Sequence, residues 1–359
     1  MARPLPFDAN RGPSRPCGRA CLIGSILLGL AALGMGEANA QAKLEQTDVA
    51  IVATRDTQVG AQLAIADALG NFKDEGLQVS PKWVQSGDDV VQLLGAGAVP
   101  MGCASTFGAT LLAAQRIPVH AVQGVADMAG TQGFVLAPNV KLGSPKELEG
   151  KKLAYTNGNP QILILAKLAK TYGFDMSKVT LVNMQPSEGL VAASKGDVSG
   201  HLSFEPFLYR LVALGGTKYA TGRQSWVTGQ QQDLGPNDRL LYLNAILMAQ
   251  DSWIKDKPNT VKAVMRAFDR ATQFINSNRS KSVEIIQQGL RIDLGAIDAI
   301  MNVNKYSSAL TPDIALSISY LSDWALSIKR IPIAVKPEDI INPMLLASEN
   351  PSLVTWKAH

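Results

Sequence analysis

Five short polar segments hold the residue types with which a protein grips a small polar solute. Thr54-Arg55-Asp56-Thr57-Gln58 follows the first apolar run, and Ser86-Gly87-Asp88, Ser105-Thr106, Asn157-Gly158-Asn159 and Ser187 follow later ones. Arg55 stands out among them. A guanidinium just past a strand presents a planar fork of N–H donors that matches a sulfonate, carboxylate or nitrate, whereas the ordinary alternative is a solvated surface Arg. Ser, Thr and Asn are also the usual helix caps, so each of the others taken singly reads equally well as a cap. Their convergence is what points to ligand binding, with Thr54, Arg55, Gln58, Gly87, Asp88, Ser105, Thr106, Asn157, Asn159 and Ser187 as candidates.

Covalent chemistry finds weaker support. Cys103 with His120 or His201 would make a thiol nucleophile and its base, but a small buried cysteine at a strand end is the favoured reading. His120 sits inside an apolar strand and reads as a satisfied core residue, and His359 is terminal. No G-x-S-x-G elbow occurs, since Gly196-Asp197-Val198-Ser199-Gly200 has the wrong spacing. The chain has no H-E-x-x-H, no paired cysteines in metal-ligand spacing and no phosphate loop. Gly95-Ala96-Gly97-Ala98-Val99-Pro100 mimics a dinucleotide fingerprint but ends in Pro where Gly or Ala is needed. Neither a cofactor nor a metal is expected, and the chain is read as a binding protein and not an enzyme.

The elements that must position these segments follow from hydrophobic periodicity. Short β-branched runs alternate with amphipathic stretches, the rhythm of a parallel sheet covered by helices. Strands are expected at 49–53, 79–84, 101–104 and 119–125, with helices at 61–69, 88–94 and 107–116 between them. Gly70 closes the first helix in the place where positive φ is usual. A second series opens with Ser144-Pro145-Lys146-Glu147 as a capping box and Gly150 as the stop. Strand 152–155 follows, then a helix capped by Asn159 with Pro160 first, a buried stripe of Ile162, Leu165, Ala166 and Ala169, and Gly173 at its end. Strand 179–182, helix 188–195 closed by Gly196, and strand 198–202 complete the block. A Gln- and Gly-rich loop at 228–236 precedes a long buried strand at 240–249. Helices are expected at 260–276, 281–288, 296–303 and 312–329, before an irregular Pro-bearing tail. In open sheets of this kind the ligand lies outside the carboxyl ends of the strands, where helix N-termini present unpaired N–H groups; the five polar segments fall at such ends.

Composition sets the class. The 359 residues are 46% hydrophobic and 18% charged, which suits a globular protein with a real core. The first forty residues read as a cleaved signal peptide. Arg3, Arg11, Arg15 and Arg19 form the basic region, residues 21–35 the apolar run, and Ala38-Asn39-Ala40 the cleavage pattern ahead of Gln41. That apolar run is shorter than the roughly 18 to 20 residues needed to span a bilayer, although an N-terminal anchor is the alternative. Lipidation is disfavoured because Cys17 lies before the apolar run and Cys21 at its very start, whereas a lipobox cysteine follows the run. Without its leader the chain has a net charge of about +2, with no like-charge run to serve nucleic acid or a membrane surface. Cys103 is then left without a disulfide partner, so the core must hold the fold.

The order of several motifs carries a family resemblance. Within 64–76 the course is Ala-x-Ala-x-Gly-x-Phe-Lys-x-Glu-Gly, and then come Ser86-Gly87-Asp88-Asp89, Leu93-Leu94-Gly95-Ala96-Gly97 and Gly102-Cys103-Ala104-Ser105. Leu148-Glu149-Gly150-Lys151-Lys152-Leu153-Ala154, Gly196-Asp197-Val198 and Phe204-Glu205-Pro206-Phe207 follow. Over residues 49–276 this order closely resembles the nitrate/sulfonate/taurine/thiamine-precursor family of ABC-transporter substrate-binding proteins. The resemblance implies an α/β, two-lobed type II periplasmic binding protein fold, each lobe a mainly parallel sheet flanked by helices, joined by two hinge crossovers near 125–131 and Asn244. Lobe I would comprise 41–127 and 246–359, and lobe II 128–245. Phe204-Glu205-Pro206 looks like the family's Trp-Asp/Glu-Pro segment at the cleft. Phe204 would then close an apolar wall and Glu205 would accept from a ligand amine. Val198-Ser199 departs from the family's usual Val-Asp, and the Cys-rich motif of pyrimidine-precursor binders is missing.

What the resemblance implies is a periplasmic, monomeric receptor that closes on a small polar or anionic organic solute such as a sulfonate, taurine-like molecule, nitrate or carboxylate. It would pass that solute to the transmembrane subunits of an ABC permease. The alternatives are an enzyme on the same scaffold, a synthase or hydrolase using Cys103 or His201, and an exported sensor or binding partner.

Overall fold

The computed structural model describes residues 43–358, so the expected leader, residues 1–40, lies outside the described residues. Strands β1 (Asp48–Thr54), β2 (Gln78–Val84), β3 (Met101–Ser105) and β4 (Val119–Asp127) begin a first sheet. The chain then builds a second from β5 (Gln132–Leu136), β6 (Lys152–Tyr155), β7 (Thr180–Asn183), β8 (Gly200–Phe204), β9 (Thr217–Thr221), β10 (Gln224–Ser225) and β11 (Gln232–Asp233). It returns to the first with β12 (Asn244–Gln250) and β13 (Lys305–Tyr306). The orders are β13-β4-β12-β3-β1-β2 and β11-β10-β9-β5-β8-β6-β7.

In the first sheet β1 pairs in parallel with β2 and β3, while β12 pairs antiparallel with both β3 and β4. Hence β1 to β4 share one direction and β12 runs against them from between β3 and β4. The second sheet repeats the device, with β6 parallel to β7 and β8, and β5 antiparallel to β8 and β9. Most strands of each sheet share one direction, as expected, with a reversed strand inserted where the chain passes between sheets and a second reversed strand further out, β13 in the first and β10 in the second. A strand in that central place is covered on both faces, which is why β12 reads Asn-Ala-Ile-Leu-Met-Ala-Gln and is buried along nearly its whole length.

The helices of the first half are α1 (Ala61–Ala68), α2 (Asn71–Asp74), α3 (Gly87–Gly95), α4 (Thr106–Ala114), α5 (Ile162–Tyr172), α6 (Pro186–Lys195) and α7 (Phe207–Ala213). The C-terminal portion supplies α8 (Asp251–Asp256), α9 (Pro258–Ser277), α10 (Arg279–Leu290), α11 (Leu294–Val303), α12 (Pro312–Ser327) and α13 (Met344–Glu349). The glycine stops act as expected. Gly70, Gly173 and Gly196 have φ of 76°, 68° and 84°, a left-handed region closed to most side chains. One stripe that α12 packs inward meets α4, where the Phe107 and Trp324 rings sit 5.4 Å apart.

Several boundaries differ from the sequence reading. Ser144-Pro145-Lys146-Glu147 opens only one 3-10 turn, Pro145–Leu148, although Glu147 does accept the Ser144 N–H at 3.1 Å. Asn159 is not the cap of α5. Pro160 is consumed in an i+3 turn to Leu163, and the helix begins after Gln161 with Leu163, Ile164, Leu165, Leu168 and Ala169 buried. This rotates the buried stripe away from Ile162 and Ala166. The long strand starts at Asn244 because Leu240 and Leu241 are occupied as loop residues bonded to the Gly222 carbonyl. The tail, expected to be irregular, holds α13.

Candidate functional site

The loop after β1 is shaped by Asp56, whose Oδ1 accepts the N–H groups of Gln58 at 2.8 Å and Val59 at 2.9 Å. This Asx-type turn aims the Gln58 side chain at the second sheet. Gln58 Nε2 donates to the Glu205 carbonyl oxygen at 3.0 Å. Its Oε1 lies 2.5 Å from Thr131 Oγ1 and accepts from Gln132 Nε2 at 3.0 Å. The chain of amides continues, since Gln161 Nε2 donates to Gln132 Oε1 at 2.7 Å. Two residues of the C-terminal portion brace the loop from behind: Asn304 Nδ2 donates to the Gln58 carbonyl at 3.1 Å and Tyr306 OH to the Thr57 carbonyl at 2.6 Å. Every amide in this chain is buried, so its hydrogen bonds are made away from competing water.

Glu205 stands at the end of β8, joined to Pro206 by a cis peptide bond. Its N–H donates to the Thr131 carbonyl at 2.9 Å, and its Oε2 accepts the Tyr209 N–H at 2.8 Å. Burial pushes its carboxyl up from the usual carboxylate range, partly offset by the Tyr209 N–H and by Lys218. Burial pushes Asp56 up as well, against its backbone N–H donors. Phe204, half-buried, meets Phe207 edge-on at 5.5 Å.

The remaining candidates divide by environment. Thr54 is buried at the end of β1, while Arg55 is exposed and, among the described residues, donates only its backbone N–H, to the Val84 carbonyl at 2.9 Å. The Arg55 side chain faces a groove of about 440 Å³ shared with Lys82, Trp83, Val84 and Leu93 at the β2 edge. Gly87 and Asp88 lie exposed in the first turn of α3, behind a reciprocal cap in which Ser86 Oγ accepts the Asp89 N–H and Asp89 Oδ2 accepts the Ser86 N–H. Ser105 Oγ caps α4 through the Gly108 N–H at 3.1 Å. The Thr106 hydroxyl is fully buried, 2.7 Å from Ser317 Oγ and accepting the Asn244 N–H at 3.2 Å. Exposed Asn157 donates its N–H to Asn183 Oδ1 at 3.0 Å, the Asn159 carbonyl accepts Tyr155 OH at 2.7 Å, and Ser187 is exposed at the start of α6. Of the candidates, Gln58 and Glu205 are thus brought into direct contact, whereas Arg55, Asp88, Asn157 and Ser187 stand at the solvent-facing strand ends. Sequence reasoning missed Thr131, Gln132, Gln161 and Asn304. A trace of signal existed, because Gln132 opens an otherwise apolar strand.

The thiol and imidazole candidates do not meet. Cys103 lies in β3 opposite Leu247, and burial, aided by the Asp56 charge, raises its thiol pKa far above the ordinary value. His201 lies in β8 of the other sheet, fully buried, and burial lowers it to about 4. It packs so close to α6 that a Cβ on Gly189 would sit 2.5 Å from its Nε2. His120 is a half-buried residue and not the core histidine expected, because its place at the start of β4 lets Nδ1 reach Asp251 Oδ1 at 2.5 Å near the surface. The buried amides offer an oriented hydrogen-bonding floor, and among the described residues Cys103 and His201 do not form a thiol–imidazole pair.

Residues 57–281 match the family model described as NMT1/THI5 like. The chain belongs to the NMT1/THI5-like family. Relatives of this NMT1/THI5-like protein include one from Bacillus subtilis (strain 168) named for binding aliphatic sulfonates, 22% identical over 300 residues, which are 80% of this chain and 86% of that one. Another is a 4-amino-5-hydroxymethyl-2-methylpyrimidine phosphate synthase of Aspergillus parasiticus, 24% identical over 230 residues, 64% of this chain and 66% of that one. The crystal structure of the periplasmic aliphatic sulphonate binding protein SsuA from Escherichia coli superposes with a TM-score of 0.69 at 12% identity, covering 88% of this chain and 95% of that one. At that identity the likeness speaks for the fold alone, which is the α/β two-lobed binding-protein architecture.

Proposed function

We propose that this NMT1/THI5-like protein is the periplasmic substrate-binding component of an ABC importer, capturing a small organic sulfonate and delivering it to the permease. The observation that carries this reading is the buried bridge from Gln58 to Glu205, which joins a loop of the first sheet to a loop of the second at the strand ends where solutes bind in α/β folds. The names of the Bacillus subtilis relative and of the Escherichia coli protein support the sulfonate class, and the latter, named as periplasmic, supports the export. No helix among the described residues is long and apolar enough to cross a membrane.

In this reading lobe I comprises 41–127 and 246–359 and lobe II 128–245, supported by β4 ending at Asp127, β5 opening at Gln132 and β12 opening at Asn244. The walls of the cleft come from the loops bearing Thr54 to Gln58, Gly87 and Asp88, Ser105 and Thr106, Asn157 and Asn159, Ser187, and Phe204 with Glu205. Binding stabilises the closed arrangement and no bond is made or broken. Titration calorimetry with methanesulfonate, taurine, nitrate and acetate tests it: one saturable site for a sulfonate is expected, and the absence of saturable heat with both sulfonates ends the proposal.

A further inference from the structure

A second cavity, of about 390 Å³, is walled on one side by Lys305 of β13 with Asn302 and Val303 of α11, and on the other by Arg223, Gln224 of β10 and Asp233 of β11, with Gly130 between. Its charges are unevenly satisfied. Asp127 accepts the Ala129 N–H through Oδ1 at 3.0 Å, and its Oδ2 lies 3.3 Å from Arg239 Nη1, which leaves Arg223 Nη1 at 3.8 Å as a distant partner. Arg239 itself is shared with Asp313, 3.1 Å from Nη2. Asp233 Oδ1 already accepts Gln224 Nε2 at 2.8 Å. Lys305 forms no ion pair among the described residues, and its ammonium pKa is lowered by partial desolvation of the exposed side chain and by the Arg223 and Arg239 charges, with Asp127 and Asp233 opposing. Asn302 spends its Oδ1 on Arg279 Nη2 at 3.1 Å, which leaves its amide N–H groups for the cavity.

Asp127 is thus engaged by Arg239, and Asp233, whose Oδ1 accepts only the neutral Gln224 and Gln231 amides, puts one negative charge in the wall, against which two cations from different sheets, Arg223 and Lys305, face the same space with donors to spare. An anion placed between them would gain charge-assisted hydrogen bonds and relieve their mutual repulsion. The volume exceeds that of a bare oxyanion and falls in the range of small-molecule sites. We propose that this cavity binds a small organic dianion, a dicarboxylate or a phosphate monoester, held between Arg223 and Lys305. Because Lys305 belongs to the first sheet and Arg223 follows β9 of the second, an occupant ties the two sheets together beside the turn through which the chain crosses. Occupancy is then linked to whatever equilibrium exists between the sheets, and the coupling is reciprocal.

The test is titration of the purified protein with succinate and, separately, with glycerol 3-phosphate at low ionic strength, the two arms separating the carboxylate from the phosphate source. One saturable site for at least one of them is expected, weakened roughly tenfold or more by Lys305→Glu, as befits a lost charged hydrogen bond, and retained by Lys305→Arg. Lys305 is exposed, so neither substitution threatens the core. The proposal is overturned if neither anion gives saturable binding, if Lys305→Glu binds like the parent, or if methanesulfonate displaces the anion one for one. The first two outcomes are read without any reference to sulfonate binding.

Discussion

Gln58 Nε2 and the Glu205 carbonyl oxygen, 147 positions apart in sequence, lie 3.0 Å apart in a buried contact between the loop after β1 and the loop after β8. Both loops end strands of different sheets, so this hydrogen bond, with the one Gln58 Oε1 accepts from Gln132 of β5, registers one sheet against the other. The same Gln58 side chain also satisfies Gln132, which in turn accepts from Gln161.

Removing that side chain leaves partners stranded. Gln58→Leu deprives the buried Glu205 carbonyl of its bond and leaves Gln132 Nε2 with Thr131 Oγ1 alone, 2.9 Å away, at a cost of about 1–3 kcal/mol. Urea denaturation should show a lowered midpoint with an unchanged slope, and sulfonate affinity should fall with it. A midpoint equal to that of the parent would mean that the bridge is not formed in solution.

Arg55 tests the anion reading with little structural penalty, because its side chain is exposed. Arg55→Ala is expected to weaken sulfonate binding by roughly 2 kcal/mol or more while leaving stability nearly unchanged. Unaltered affinity in calorimetry removes Arg55 from the site and assigns it to the β2-edge groove alone.

His201 makes stability depend on pH. Its folded pKa of about 4 lies below the ordinary 6.5, so the unfolded chain takes up the proton first as pH falls. Stability contributed by the neutral imidazole is complete above about 6.5 and is lost progressively down to about 4, amounting to roughly 3 kcal/mol by the usual conversion. The raised carboxyls of Asp56 and Glu205 work in the opposite direction, so the comparison must be between the parent and His201→Leu. Their denaturation free energies should diverge between pH 6.5 and 4; parallel profiles would contradict the assignment.

Cys103 separates receptor from enzyme. A thiol whose pKa is raised by burial remains protonated at neutral pH and is shielded from reagents. Mass spectrometry after iodoacetamide treatment at pH 8 should find Cys103 alkylated only in denaturant, and Cys103→Ala should bind sulfonate like the parent. Rapid alkylation of the native protein would revive a thiol-dependent activity.

Much of the fold was legible along the chain because its signals are local. The alternation of apolar runs with amphipathic stretches located β1 to β4 and the helices between them, and Gly70, Gly173 and Gly196 marked helix ends through a backbone conformation that other residues avoid. Where two local signals competed, the reading slipped. Asn159-Pro160 looked like a cap and first residue, yet the proline was taken up in a turn and α5 began at Ile162. The candidate site was legible only as a set of polar strand ends. Nothing at Gln132 or Gln161 said that either amide would join Gln58.

The amino-acid order by itself determined the α/β class and the places where polar loops interrupt apolar strands. The tertiary structure alone decided that β12 would enter between β3 and β4, that Cys103 and His201 would fall in separate sheets, and that Gln58 would reach Glu205. The reason is physical: periodicity and turn chemistry act over a few residues, whereas a contact between sheets depends on how two crossings of the chain sum in space.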